Sequence, residues 1–300
     1  MSTGIALRPS YWASVSGGKD SLYMLNFILH NIDRYPLDGV VHFELEIDYP
    51  FIKDVVDYME AECKKIGITF VRIKPRKTWI ELYNTKNNKT GNIWGFPTGK
   101  ARWCNSRYKM DAKKQLDEWM KSLGYYVITY IGYCADEEKR YAKRTNMNVT
   151  EVYPLVENGI NEDVIWQWAK YQPIFKHYYE TQKRCGCMYC PLSSYLTCAY
   201  LYKYYPDNFK FMVEKIRETE KIRGKELGRP FSVRSVNPKY NADYMEKIVK
   251  TKWLKKLEEL EEAFKKESEE MINANVSKIE QWNSEKSSCK SVDKDKAVCK

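Results

Sequence analysis

Ser16-Gly17-Gly18-Lys19-Asp20-Ser21 joins a short β-like run, residues 11–15, to an apolar segment, Leu22-Tyr23-Met24-Leu25-Asn26-Phe27-Ile28-Leu29. A turn of small residues between a strand and a helix lets backbone N–H groups converge on a phosphate. Gly17 and Gly18 let the main chain come close and take positive φ at no steric cost. Ser16 and Ser21 add hydroxyl donors, Lys19 adds a cation, and Asp20 offers an oxygen to a metal such as Mg2+. The spacing departs from the Walker pattern G-x-x-x-x-G-K-S/T. A glycine turn that merely caps a helix is the plainer alternative; the strand before and the apolar helix after favour a phosphate site.

The same rhythm continues outward. Residues 40–45 read as a second strand, and residues 51–66 set Val55, Val56, Met59 and Cys63 at helical spacing before Gly67. Residues 68–73 alternate as a third strand. Strand–helix–strand alternation implies an α/β fold with a parallel sheet and right-handed crossovers. After a loop at 84–102, residues 109–123 read as a helix, 125–132 as a strand and 151–155 as one more. Helices follow at 163–171, 195–205 and 206–223. Trp253, Leu257, Leu260 and Phe264 form a stripe amid Lys and Glu, read as a helix packing on its own domain, with a partner-binding helix as the alternative. The expected organisation is a nucleotide-binding α/β domain at 1–160 and a helical, cysteine-rich subdomain completing the site at 161–239. A C-terminal helical region at 240–282 and a disordered Ser/Lys/Asp-rich tail at 283–300 follow.

With 300 residues, 43% of them hydrophobic, the chain can build a substantial core. It has no apolar run long enough to span a membrane and no secretory leader pattern at its start, so a cytoplasmic protein is expected. Cys185, Cys187, Cys190 and Cys198 crowd one segment, which favours metal or sulfur chemistry over disulfides. A net charge of +10 suits a polyanion, whether nucleotide or nucleic acid. The 24 tyrosines and nine tryptophans are either base-stacking surfaces or core.

Four constellations carry chemistry. The loop at Ser16–Ser21 sits where an open α/β sheet binds ligands, and Phe43 and Glu44, ending the second strand, lie beside that crevice with backbone suited to an adenine edge. Arg102-Trp103-Cys104-Asn105-Ser106-Arg107-Tyr108-Lys109 puts a thiol among cations near a helix start, so a lowered Cys104 pKa is expected. In Gly132-Tyr133-Cys134-Ala135-Asp136-Glu137-Glu138-Lys139-Arg140, Arg140 offers an anion site, and Asp136 or Glu137 can orient a metal or cation. Finally, Cys187 and Cys190 form a Cys-x-x-Cys-Pro turn. That turn suits an iron–sulfur cluster, half a zinc site or thiol–disulfide exchange, with Cys104 as a long-range partner and Cys185 or Cys198 as a fourth ligand.

Together and in this order, these segments resemble the phosphoadenosine-phosphosulfate (PAPS) reductase-like family of the PP-loop ATP pyrophosphatases, over roughly residues 10–200. Ser16–Ser21 matches its SGGxDS loop, Cys104 with Lys109 its Cys-x-x-x-x-Lys element, Gly132–Arg140 its G-x-R-x-D/E-E-S-x-x-R stretch, and Cys187/Cys190 its cluster-binding pair. Cys134 stands in place of the family's arginine, Trp103 in place of a second adjacent cysteine, and the Glu-Cys-Gly-x-His reductase element is absent. The resemblance implies an open parallel five-stranded sheet of the adenine-nucleotide α-hydrolase type. It implies an enzyme that binds ATP or an adenylyl nucleotide with Mg2+, cleaves ATP at the α-phosphate and supports sulfur transfer with a 4Fe-4S cluster, zinc being the alternative. Lys19, Asp20, Cys104 and Arg140 are then the catalytic candidates. Ser16, Gly17, Gly18, Lys19, Asp20, Ser21, Phe43, Glu44, Gly132, Asp136 and Glu137 hold the nucleotide, and Cys104, Cys185, Cys187, Cys190 and Cys198 supply metal ligands. The implied partners are a nucleic-acid acceptor (tRNA or DNA), a sulfur donor or reductant protein, and a second copy of the chain. The alternatives are a sulfonucleotide reductase and a non-catalytic nucleotide- or nucleic-acid-binding module with structural zinc.

Overall fold

The computed structural model describes residues 7–99, 101–145, 150–223 and 241–295. Five parallel strands form one open sheet: β1 (Arg8–Val15), β2 (Gly39–Phe43), β3 (Thr69–Ile73), β4 (Tyr125–Tyr130) and β5 (Glu151–Val152), in the order β3-β2-β1-β4-β5. The helices within this unit are α1 (Lys19–Leu29), α2 (Pro50–Lys65), α3 (Trp79–Tyr83), α4 (Met110–Ser122) and α5 (Glu138–Thr145). Beyond it come α6 (Pro154–Glu157), α7 (Glu162–Lys170), α8 (Tyr178–Thr181), α9 (Tyr195–Tyr204), α10 (Pro206–Arg223), α11 (Ala242–Ile248) and α12 (Leu254–Asp295).

Strand side chains alternate between two cores, as they must when both faces of a sheet are covered. Ala13, Val15, Val40 and Tyr130 join the large core that includes Leu22, Leu25 and Ile28 of α1 and Val55, Val56 and Met59 of α2. Trp12, Val41 and Val127 point the other way, onto Leu116 and Met120 of α4. The chain leaves β1 toward β2 on one side and returns to β4 on the other. The crevice at the carboxyl ends of β1 and β4 is therefore the topological switch point where such sheets bind ligands.

Some expected boundaries shift. The second strand ends at Phe43, and β5 is only two residues long because Pro154 opens α6. Two stretches, Cys104–Lys109 and Val249–Trp253, are wound as π-helix. Helix α12 continues to Asp295, through most of the stretch whose composition suggests a disordered tail; residues 224–240 and 296–300 lie outside the described residues.

The stripe on α12 packs on its own chain. Leu257 is fully buried, Trp253 meets Tyr195 at 6.1 Å between ring centroids, and Phe264 meets Tyr171 at 5.6 Å. Lys203 pairs with Glu261 at 2.6 Å, and the buried Lys170 pairs with Glu267 at 3.1 Å. Replacing Leu257 by Ala should therefore destabilise the protein by about 2–5 kcal/mol, as for other buried leucines. The check is the midpoint of urea unfolding; an unchanged midpoint would mean that this helix is not part of the core.

Candidate functional site

The loop after β1 is closed by its own hydroxyls. Ser21 Oγ donates to the Gly18 carbonyl at 2.9 Å and accepts from the Ser16 N–H at 3.2 Å. Gly17 has φ +76, and a Cβ there would stand 2.6 Å from Ile52. Across the crevice Gly132 is equally constrained, since a Cβ would lie 2.9 Å from the Asp20 carbonyl oxygen. The absence of these two side chains lets β4 and α2 close around the first turn of α1. No side chain caps α1, so part of its N-terminal N–H set remains available to an anion.

Ser16, Asp20, Ser21, Phe43, Gly132 and Arg140 all line one cleft of about 360 Å³, with Asp48, Lys109, Glu162, Arg184 and Cys185 on its other walls. A phosphate chain entering it meets Lys109, Arg140 and Arg184, while Asp20 and Asp48 supply oxygens of the kind Mg2+ takes. Burial holds the Asp20 carboxyl above its usual range against the pull of Lys19, and burial likewise raises Asp48 to about 6 against Lys109.

Several expected positions turn out otherwise. Lys19 does not face the cleft: its fully buried ammonium lies 2.5 Å from Asp20 Oδ1 and 3.4 Å from Glu162 Oε1. An ammonium without water must be met by carboxylates, and these two reach it from the wall of the cleft. The Lys19 N–H is also taken, donating to Tyr179 Oη at 2.9 Å. Glu44 points away from the cleft to Lys74 at 3.3 Å, and its N–H is bonded to the Ile73 carbonyl. Asp136 accepts the Glu162 N–H at 3.0 Å and so fastens the start of α7. The buried Glu137 bonds Arg140 at 2.5 Å and Arg184 at 3.1 Å, aligning the two guanidiniums at the cleft.

The thiols gather behind the cleft. Cys187 and Cys190 are hydrogen-bonded to each other, and that bond draws the Cys190 thiol below its usual range in spite of burial, with help from the Leu192 N–H and Lys109. Cys104 departs from expectation: burial and the neighbouring Cys190 push its thiol up, and Lys109 and Arg102 are too weak to reverse this. Cys198 is enclosed within α9, where burial also pushes its thiol up. Lys109 lies in the field of Cys187, Cys190, Cys104 and Asp48, which keeps its ammonium charged although it is enclosed. Cys185 lines both the first cleft and a second of about 550 Å³ that reaches Cys190. The two clefts share Glu162, Arg184 and Cys185, so the Arg184–Glu162 pair, 3.0 Å apart, stands between them.

Among the described residues, no three His, Cys, Asp or Glu side chains converge tightly enough to hold a single metal ion, and the seven described cysteines are free thiols. Cys104, Cys187 and Cys190 act on Lys109 together with Asp48, and thiolates are ligands that suit a soft metal.

Glu162, Asp48 and Tyr179 were not legible as site residues. Asp48 follows the second strand, where the strand-end rule points. Glu162 and Tyr179 reach the loop from α7 and α8, far along the chain, and carry no local signal.

No family model matches the chain. It is similar to a Methanocaldococcus jannaschii protein named "Uncharacterized protein MJ0973", with 24% identity over 231 residues, 70% of this chain and 50% of that protein. The chain thus spans about half the length of that relative. Among solved structures it is similar to the U34-tRNA thiolase NcsA from Methanococcus maripaludis with its 4Fe-4S cluster. That likeness has a TM-score of 0.35 and 16% identity, and it covers 74% of this chain and 75% of that one. The overlap is too loose to carry a conclusion about this chain.

The ion pairs differ in depth, and so should the cost of breaking them. Glu162→Ala leaves the buried Lys19 with a single partner and should cost about 3 kcal/mol. Arg140→Ala removes a side chain that is 51% exposed and should cost less than about 1 kcal/mol. Urea unfolding of the two variants checks the ranking; a larger loss for Arg140→Ala would contradict it.

Proposed function

We propose that the protein is a PP-loop enzyme of the PAPS reductase-like type that cleaves ATP at the α-phosphate and supports sulfur transfer to a nucleic acid. The observation that carries this reading is the cleft at the switch point. One cavity joins Ser16, Asp20 and Ser21 of the loop to Arg140, Arg184, Lys109 and Cys185, and the adjoining cleft that shares Cys185 reaches Cys190. The resemblance of the same segments to that family's motifs agrees with it.

In this reading the Ser16–Ser21 loop holds the β- and γ-phosphates, and Asp20 and Asp48 take Mg2+. Arg140 and Arg184, held by Glu137, face the charge that develops on the leaving group. Phe43 packs on the base. An acceptor oxygen attacks the α-phosphorus, the bond to the bridging oxygen breaks, and pyrophosphate leaves. A sulfide equivalent from a sulfur donor then replaces the adenylated oxygen, which departs with AMP. Cys104, Cys187 and Cys190, with Cys185 or Cys198 as a fourth, would hold a 4Fe-4S cluster, which would hold or deliver sulfur.

The test is turnover of isotope-labelled ATP with candidate RNA and DNA acceptors, using protein purified without oxygen. AMP and pyrophosphate should form in the presence of the acceptor, and Arg140→Ala should slow their release by about 100-fold, as for loss of one transition-state charge partner. Iron and acid-labile sulfide should accompany the protein and be lost from Cys187→Ser. Absence of AMP and pyrophosphate with every acceptor would overturn the reading, as would a colourless protein carrying one zinc.

A further inference from the structure

One buried hydroxyl beside the thiols has no partner. Tyr49 is 1% exposed, and among the described residues nothing bonds its Oη. The tyrosines packed around it differ. Tyr178 and Tyr200, with ring centroids 5.2 and 6.0 Å away, donate to the Arg184 and Lys176 carbonyls. A hydroxyl shut off from water without an acceptor costs its full desolvation, so such a group calls for an acceptor of its own. We propose that Tyr49 Oη is a hydrogen-bond donor to the Cys185 sulfur when that sulfur ligates a metal group, and that Cys185 rather than Cys198 is the fourth thiolate beside Cys104, Cys187 and Cys190. The proposal rests on the reading above for the metal group itself; the thiol and the donor are additions to it.

Position favours Cys185. It lines both clefts and shares the second with Cys190, whereas Cys198 lines neither. The turn that carries it is tight. A Cβ on Gly186 would stand 3.6 Å from Cys190 Cβ and 3.8 Å from Cys190 Sγ, so residues 185–187 curl about the Cys190 sulfur. The Met188 N–H donates to the Ile47 carbonyl at 2.8 Å, which ties this turn to the segment that carries Tyr49. Charge agrees with position. The Lys109 ammonium acts on Cys104, Cys185, Cys187 and Cys190 alike. Cys198, enclosed within α9, is reached by the charge of Cys190 but not by that cation.

Hydrogen-bond donors complete the contrast. A thiolate on a metal keeps part of its charge, and away from water that charge needs donors around it. Tyr179 Oη accepts the Lys19 N–H and has its own proton left for the Cys185 sulfur. Tyr179 Oη and Cys185 Cβ both border Gly18, where a Cβ would lie 3.4 Å from the one and 3.9 Å from the other. Tyr49 is the second donor. Of the thiols that act on its hydroxyl, Cys185 acts most strongly, ahead of Cys198 and Cys187. Burial and these thiols together hold the Tyr49 proton on its oxygen, so the group stays a donor. Among the described residues no hydrogen bond reaches the Cys198 sulfur.

The Tyr49 ring is held in place by Phe51 at 5.7 Å and Tyr205 at 5.6 Å between centroids, so its hydroxyl has a fixed direction. A fixed donor to a ligating sulfur has two effects. It sets the direction of the ligand, which strengthens metal binding. It also draws charge from the sulfur, which favours the reduced state of an iron–sulfur group and raises its reduction potential.

The test uses the full chain, either stripped of metal or reconstituted with iron and sulfide in the absence of oxygen. Without metal, Tyr49→Phe should unfold at the same urea concentration as wild type or a higher one, since it loses no bond. With iron and sulfide, the same variant should show a lower midpoint potential and hold iron about tenfold less tightly in competition with a chelator. Cys185→Ala should lose iron and sulfide, and Cys198→Ala should keep them. A lower urea midpoint for metal-free Tyr49→Phe overturns the donor role, because the hydroxyl then has a partner of its own such as a trapped water. Unchanged potential and iron affinity in that variant overturn it as well. Iron kept by Cys185→Ala, or lost from a folded Cys198→Ala, overturns the choice of thiol. Wild-type protein that takes up no iron overturns the metal reading and this inference together, whereas failure of ATP turnover leaves the ligand and donor results standing.

Discussion

The ammonium of Lys19 has no water, and everything around the candidate site is arranged to answer that. A buried charge is tolerated only with opposite charge in hydrogen-bond reach. Asp20 supplies one partner from the same turn, but Glu162 comes from α7, well beyond the last strand. The Lys19 N–H adds a second link by donating to Tyr179 on α8. The loop that opens the sheet unit is thus held by the helical region, and neither part of the site is complete alone. This explains why a lysine whose sequence position suggests a phosphate contact acts here as a strut.

The cleft's cations are consequences of the same arrangement. Glu162 also takes Arg184, and Arg184 reaches Glu137, which in turn holds Arg140. Carboxylates buried behind the wall set guanidiniums at its surface, so the positive face is pre-organised and costs little to reorganise when an anion enters. Arg184 immediately precedes Cys185, and the Met188 N–H donates to the Ile47 carbonyl at 2.8 Å, close to Asp48. The thiol turn is therefore anchored to the segment after β2 as firmly as to its own neighbours.

The sheet was readable because its signals are local. Alternating strands, the helical spacing of Val55, Val56, Met59 and Cys63, and glycines at turns each fall within a window of a few residues. The glycine-rich turn between β1 and α1 was readable for the same reason. Side-chain direction was not. Whether Lys19 faces a ligand or an interior carboxylate depends on Glu162, and the Cys104 pKa depends on burial that its cationic neighbours in sequence do not reveal. Asp136 and Glu44 looked suitable as site residues from their places at strand ends, yet one fastens α7 and the other pairs with Lys74. Side-chain direction is settled by partners that lie on other elements.

The tyrosine load follows from the same requirement. Tyr49, Tyr178, Tyr179 and Tyr200 are buried together, so they are core rather than a surface for bases. Phenylalanine would fill the space equally well, and at Tyr49, whose buried hydroxyl has no partner among the described residues, it would lose no bond; Tyr178 and Tyr200 differ. It would not bond the backbone of the irregular chain between α7 and α9, where polar groups outside regular structure still need partners. Tyr178 Oη donates to the Arg184 carbonyl at 3.1 Å, and Tyr200 Oη donates to the Lys176 carbonyl at 3.2 Å. Lys176 and His177 both have left-handed backbone, at φ 47 and 65, a conformation that non-glycine residues hold only when their surroundings impose it. The tyrosine hydroxyls help impose it. They turn the chain sharply into α8, bring Tyr179 under the loop, and leave Arg184 and the thiols facing the two clefts. An apolar core could have packed this region, but only rings carrying hydroxyls could also fix the path on which the site depends.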